Sequence, residues 1–182
     1  MDERGFDAVM RKAESPDQRV AWFGALLSKE SGVDAVIVGG SAIEVYTKGE
    51  YVSHDIDVVG ERDRLASVLQ KWGFKQEEGR SSRTYWVKKP LGLVDLVGRN
   101  LKSDLPTQTV QTPYGSVSLG PPEDLITRRL MRAGAEHSTK LFQEAVLIAN
   151  RYKDTLDWEY IRIDAKYEHV LPLYEQLRKL VG

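Results

Sequence analysis

The sequence predicts an α+β chain in which a small β-sheet is flanked by helices and followed by a helical C-terminal extension. Three observations point there. Residues 35–60 follow the order strand, glycine turn, short helix, strand; short apolar segments separated by turns continue to Leu119; and from Gly120 onward the apolar spacing is helical. The expected boundaries are 1–33 for N-terminal helices packed on the core, 34–119 for the core, and 120–182 for the helical region.

Phe6, Val9 and Met10 stand at helical spacing and predict a short first helix. Ser15 as N-cap, Pro16 at the first helical position and Gln18 three residues on predict a second, carrying Val20, Trp22, Phe23, Leu26 and Leu27 and closing near Ser31 and Gly32. Trp22 and Phe23 could serve as a base-stacking platform, but aromatics beside leucines at this spacing belong to a core far more often. They are expected in the core. The apolar run Ala35 to Val38 is a strand, Ala42, Ile43, Val45 and Tyr46 form a helix, and Asp55 to Val59 is the next strand. A helix over Glu61 to Trp72 is closed by Gly73, and Phe74 to Gln76 and Thr84 to Lys88 are strands around a polar loop. LVDLV, Leu93 to Val97, follows a turn at Pro90 to Gly92, and two weaker strands flank Thr112 and Pro113. The extension starts with PPEDLITRRLMRAG, acidic at its head and basic at its tail, as the helix dipole favours. Helices near Thr139 to Tyr152 and from Asp157 follow, and Pro172 divides the last part.

Residues two apart on a strand face the same way, so Asp55 and Asp57 project together while Ile56 and Val58 point to the opposite, buried face. Two carboxylates side by side repel unless a cation sits between them, and hard oxygen ligands suit Mg²⁺. Gly39 and Gly40, without a Cβ, let backbone N–H groups approach an anion where a helix begins. Taken singly, each feature is weak. A pair of glycines arises by chance roughly once per two hundred residues, and a lone D-x-D is more often solvated or turn-capping than metal-binding.

The ordered combination is specific. Apolar strand, Gly39-Gly40-Ser41, short helix and apolar-flanked Asp55-Ile56-Asp57 together resemble the nucleotidyltransferase superfamily related to DNA polymerase beta. That family adds a third carboxylate on a later strand, and Asp95 within LVDLV supplies one. The match covers roughly residues 35–97 and looks closest to small prokaryotic proteins of the abortive-infection-toxin and uncharacterised-nucleotidyltransferase kind. The resemblance implies a small mixed-sheet nucleotidyltransferase core and transfer of an NMP from an NTP, ATP among them, to a hydroxyl acceptor. Asp55, Asp57 and Asp95 would be catalytic and hold Mg²⁺, with Mn²⁺ as the alternative metal. Gly39, Gly40 and Ser41 would cradle the β and γ phosphates, Ser41 also standing where a helix N-cap is expected.

Further along, Arg129 lies where relatives carry a lysine in an E-D-L-I-x-x-K helix, so Arg128 or Arg129 is expected at the phosphates, with a solvated arginine as the plain alternative. Lys140 lies where relatives have lysine before an aspartate; here Leu141 follows and the next acid is Glu144. This departure motivates a rival reading, a degenerate member that binds nucleotide or a partner without turnover. The acceptor implied is the 3′ end of an RNA such as tRNA, a protein or a small molecule. Arg80, Arg83, Arg128, Arg129, Arg132, Arg151 and Lys153 would favour RNA if they formed one surface. A homo-oligomer through the C-terminal helices and an antitoxin partner are the remaining expectations for assembly.

Composition narrows the classes. At 182 residues the chain can bury one substantial core. Its 26 basic and 27 acidic residues leave a net charge of −1, which gives no general support to nucleic-acid binding. With no cysteine there is neither a disulfide framework nor a thiolate site. No apolar run approaches a membrane span and the charged first residues lack a signal-like apolar stretch, so a soluble cytoplasmic protein is expected. His54, His137 and His169 lack metal-ligand spacing.

Overall fold

A computed structural model describes residues 1–78 and 84–182. The elements run α1 (Glu3–Met10), α2 (Pro16–Ser31), β1 (Val36–Val38), α3 (Gly39–Tyr46), β2 (Asp55–Val59), α4 (Arg62–Lys71), β3 (Lys75–Glu78), β4 (Thr84–Lys88), β5 (Gly92–Gly98), β6 (Gln108–Thr112), β7 (Gly115–Leu119), α5 (Pro122–Glu136), α6 (Thr139–Tyr152), α7 (Trp158–Tyr167) and α8 (Leu171–Val181). The chain is α+β, and it divides into two compact units, Met1–Gly120 and Pro121–Gly182.

The first unit is built on a seven-stranded sheet in the order β3-β4-β5-β2-β1-β7-β6. It is mixed: β2 pairs with β5 and β1 with β7 in parallel, whereas β1 with β2, β3 with β4, β4 with β5 and β6 with β7 are antiparallel. Alternation makes one face of the central strands apolar, so Ile37, Ile56, Val58, Val94 and Leu96 are all buried. Helix α2 lies close on this sheet at Gly24, where a Cβ would come within 2.5 Å of Val117 Cγ2. The outermost strands are polar, every residue of β3 being exposed.

Aromatic packing joins the N-terminal helices to the sheet. Phe6 stacks on Trp72 with ring centroids 4.2 Å apart, and Phe23 and Phe74 close the cluster edge-on or tilted. The strand expected from Phe74 starts one residue later, because the Phe74 N–H still donates to Leu69 O at the end of α4 and its ring is buried in this cluster. Phe23 is core as expected; Trp22 is half-buried, its ring meeting Tyr114 edge-on beside the β6–β7 turn. On the far strand pair, Lys88 is buried and its Nζ lies 2.6 Å from Glu3 and 3.2 Å from Asp7, pinning α1 to β4. Ser15 stands at the N-cap of α2 but makes no capping bond; the Glu14 N–H donates to Gln18 Oε1 instead.

The second unit comprises α5 to α8. Its connections are held by polar bonds at helix ends: Asp157 N–H donates to Glu123 Oε1, Tyr160 Oη donates to Asp124, and Asp157 caps α7 through the Tyr160 N–H. Pro172 sits in the first turn of α8, and His169 in the left-handed region marks the break before it. Between α5 and α6 lies a buried ion pair, Arg129 Nε to Glu144 Oε2 at 2.7 Å. Two charges removed from water stabilise a fold only through each other.

Replacing Arg129 alone with Met strands Glu144 and is expected to cost about 3–5 kcal/mol, whereas Arg129→Met with Glu144→Leu is expected to recover most of that loss. Urea unfolding midpoints measure both. A double variant as unstable as the single one would show that shape, not charge pairing, carries the stability at this position.

Candidate functional site

Strand β1 ends at Val38, which is also the N-cap of α3, so the chain passes from sheet to helix with no loop between. Gly39 makes this possible with φ +62, a conformation costly for residues with a Cβ. Its second role is steric. Val38 lies opposite Asp57 in the β1–β2 register, and a Cβ built on Gly39 would fall 1.9 Å from Asp57 Oδ2. The Asp57 carboxylate therefore rests against the bare backbone of the turn.

Ser41 fixes the same junction from inside. Fully buried, its hydroxyl donates to Val38 O at 2.9 Å and accepts from the Asp57 N–H at 3.2 Å. The expected N-cap position belongs to Val38 instead, because the helix already begins at Gly39. With its one proton given to Val38, Ser41 has no hydroxyl proton left for a ligand in this arrangement. What the turn can offer an anion is backbone N–H at the head of α3, from Gly39, Gly40 and Ser41.

The third aspartate comes from the neighbouring strand. In the parallel β2–β5 register Asp57 pairs with Asp95 and Asp55 with Leu93, and the irregularity in the ladder comes only after Val58. Asp55, Asp57 and Asp95 thus share one face while Ile56, Val58, Val94 and Leu96 fill the other. Adjacent strands are about 4.8 Å apart. Among the described residues no three His, Cys, Asp or Glu side chains converge into a ready-made metal cage. The donor chemistry still suits Mg²⁺, which is held by one or two carboxylates, waters and substrate phosphates more often than by an all-protein cage.

Two residues not anticipated from the sequence support this face. Glu44 of α3 is 2% exposed and its carboxylate accepts the Ser53 N–H at 2.6 Å. Burial pushes its carboxyl above the usual range, the Ser53 bond opposing that shift. Ser53 Oγ in turn donates to Asp55 Oδ1 at 3.2 Å. A signal for Glu44 was available: it is the one charge in the otherwise small and apolar helix GGSAIEVY.

The cationic residues expected at the phosphates belong to the second compact unit. Arg129 is spent on Glu144, Arg132 lies exposed with Glu136 at 2.8 Å, and Arg128 and Lys140 are exposed. Arg151 and Lys153 are exposed there too, while Arg80 and Arg83 lie outside the described residues. His54 is exposed beside Asp55. An open groove lined by Lys29, Asp34, Tyr114 and Ser116 lies between the end of α2 and the β6–β7 turn, and none of the expected site residues lines it.

No family model and no curated protein matches the chain by sequence. Solved structures do match. A crystal structure of an antigenic nucleotidyltransferase-like protein from Paracoccidioides brasiliensis superposes with a TM-score of 0.59 at 15% identity, over 91% of this chain and 93% of that one. The chain has the nucleotidyltransferase fold. The solution structure of the antibiotic-resistance factor ANT(2″)-Ia matches with a TM-score of 0.57 at 15% identity, over 90% of this chain and 98% of that one. The crystal structure of ANT(2″)-Ia in complex with adenylyl-2″-tobramycin gives 0.53 at 16% identity, over 88% and 96%. At these identities the likeness is one of fold. Among the described residues no helix is long and apolar enough to cross a membrane.

Within this fold, Gly39→Ala is expected to cost more than about 1 kcal/mol, since Ala is strained at positive φ and its methyl collides with Asp57. Denaturant unfolding gives the energy, and the Asp57 carboxyl carbon resonance reports the displacement. An unmoved Asp57 resonance would show that the turn yields instead of the carboxylate.

Proposed function

We propose that the chain is a Mg²⁺-dependent nucleotidyltransferase that moves an NMP from an NTP to a hydroxyl acceptor and releases pyrophosphate. The observation that carries the reading is the Asp57–Asp95 register pair with Asp55 on the same face, beside a glycine turn at a helix head. Asp55 and Asp57 would hold the metal with a contribution from Asp95, and Asp95 takes the proton of the acceptor hydroxyl. When bound there, a divalent cation would supply charge neutralisation for the transfer. The backbone N–H groups at Gly39 and Gly40 hold the β and γ phosphates and keep the leaving group aligned. The acceptor oxygen bonds to the α-phosphorus, the bond to the bridging oxygen breaks, and pyrophosphate carries that electron pair away.

The nucleotidyltransferase names of the fold neighbours support the reaction class. One of them is seen with an adenylylated aminoglycoside, which lends weight to a small-molecule acceptor beside the RNA 3′ end or protein hydroxyl that the sequence suggests. A second reading, a degenerate module that binds nucleotide without turnover, is favoured by one observation: Arg129, one of the two arginines expected at the phosphates, is paired inside with Glu144.

Incubation with Mg²⁺, each labelled NTP and pools of RNA, protein or small-molecule acceptors tests both readings. Pyrophosphate release is expected, reduced about 10²- to 10⁴-fold in Asp95→Asn and abolished in Asp55→Asn and Asp57→Asn with the fold intact. Undiminished release from Asp57→Asn sinks the mechanism. Nucleotide retained without any product makes the binding module the better account.

A further inference from the structure

Glu44 lies one helical turn beyond the glycine junction and is only 2% exposed, inside the first unit. A buried carboxylate is costly unless something uses its lone pairs. What uses them is the loop entering β2: the Ser53 N–H approaches to 2.6 Å, a short charge-assisted bond, and the Ser53 hydroxyl is turned onto Asp55 Oδ1 at 3.2 Å. Asp55 is exposed, at the very first position of its strand, where the ladder alone restrains a side chain least. Asp57, by contrast, is held by Ser41 at its backbone and by Gly39 at its carboxylate. The two expected metal ligands on β2 are thus oriented by different devices, and that of Asp55 leads back to α3.

We propose that Glu44 is a positioning residue: it clamps Ser53, and Ser53 sets the Asp55 carboxylate for the divalent cation. This rests on the metal-binding reading given above. Partners behind a ligand commonly change metal affinity about 10- to 100-fold when removed, and the same range is expected here. The charges nearest Glu44 from the packed helix α2 are Asp17, which disfavours its ionised form, and Arg19, which favours it. Neither replaces the bond to Ser53.

The test is titration of the full chain with Mn²⁺ alone, followed by water-proton relaxation, together with amide hydrogen exchange at position 53. Asp55→Asn is the reference and should abolish the high-affinity phase. Ser53→Ala keeps the backbone bond to Glu44 but loses the hydroxyl: its position-53 amide should stay protected while Mn²⁺ affinity falls about tenfold or more. Ser53→Thr should restore the affinity. Glu44→Ala should lose both the protection and the affinity. Should Glu44→Ala fail to fold, Glu44→Asp takes its place, since its shorter side chain draws the acceptor away from the Ser53 N–H. That variant should lose protection and affinity together; unchanged affinity with lost protection overturns the role of Glu44. Unchanged affinity in Ser53→Ala, with Asp55→Asn still defective, overturns the positioning role and leaves the metal site standing. Unchanged affinity in Asp55→Asn overturns the metal reading and this inference with it.

Discussion

The contact on which the first unit depends is that of a carboxylate with a bare backbone. Asp57 can occupy its place only because position 39 has no side chain, and the turn can be that tight only because Gly39 adopts a left-handed conformation. From this contact the arrangement spreads outward. Ser41 ties Val38 to the Asp57 amide, Tyr46 at the other end of α3 donates to Gly120 O at the end of β7, and Gly120 N–H donates to Ile37 O. The short helix is therefore bonded at both ends to the strands that flank β1. A bare glycine turn at a helix head and an acidic sheet face are brought together by the same few residues.

Much of this was legible in the chain and some was not. Alternation around Asp55 and Asp57 assigned the two carboxylates to one face, because a period of two is a local property. That Asp95 sits on a strand was equally legible. Its partner was not, since α4 and the β3–β4 hairpin separate β2 from β5 in the chain, and pairing between distant segments leaves no periodic trace. The register had to come from the fold. Ser41 is not the N-cap that its place suggests: a hydroxyl near a helix start is a cap by default, yet here the helix begins two residues earlier and the hydroxyl serves the strands.

At Arg129 the signal is local and stands in the chain itself. This arginine shares a helical row with Leu125, Ile126 and Ala133, and Glu144 shares one with Leu141 and Ile148, all of them buried. An arginine on the apolar row of one helix and a glutamate on that of the next predict each other, because a charge on a buried row needs an opposite charge inside. The position that the resemblance assigns to phosphate lies, by periodicity, on the buried side of α5. The tail is thereby a unit with an ionic centre of its own, as well as an apolar one.

The two outer strands have a consequence for how the molecule behaves in company. β3 is Lys75-Gln76-Glu77-Glu78, exposed along its length, and β6 is Gln108-Thr109-Val110-Gln111-Thr112 with a single apolar residue, half-covered. Open strand edges recruit other chains, and charge or polarity along them is the common deterrent. A seven-stranded sheet with such borders resists extension by foreign strands, so crowding should not turn one copy into a template for the next.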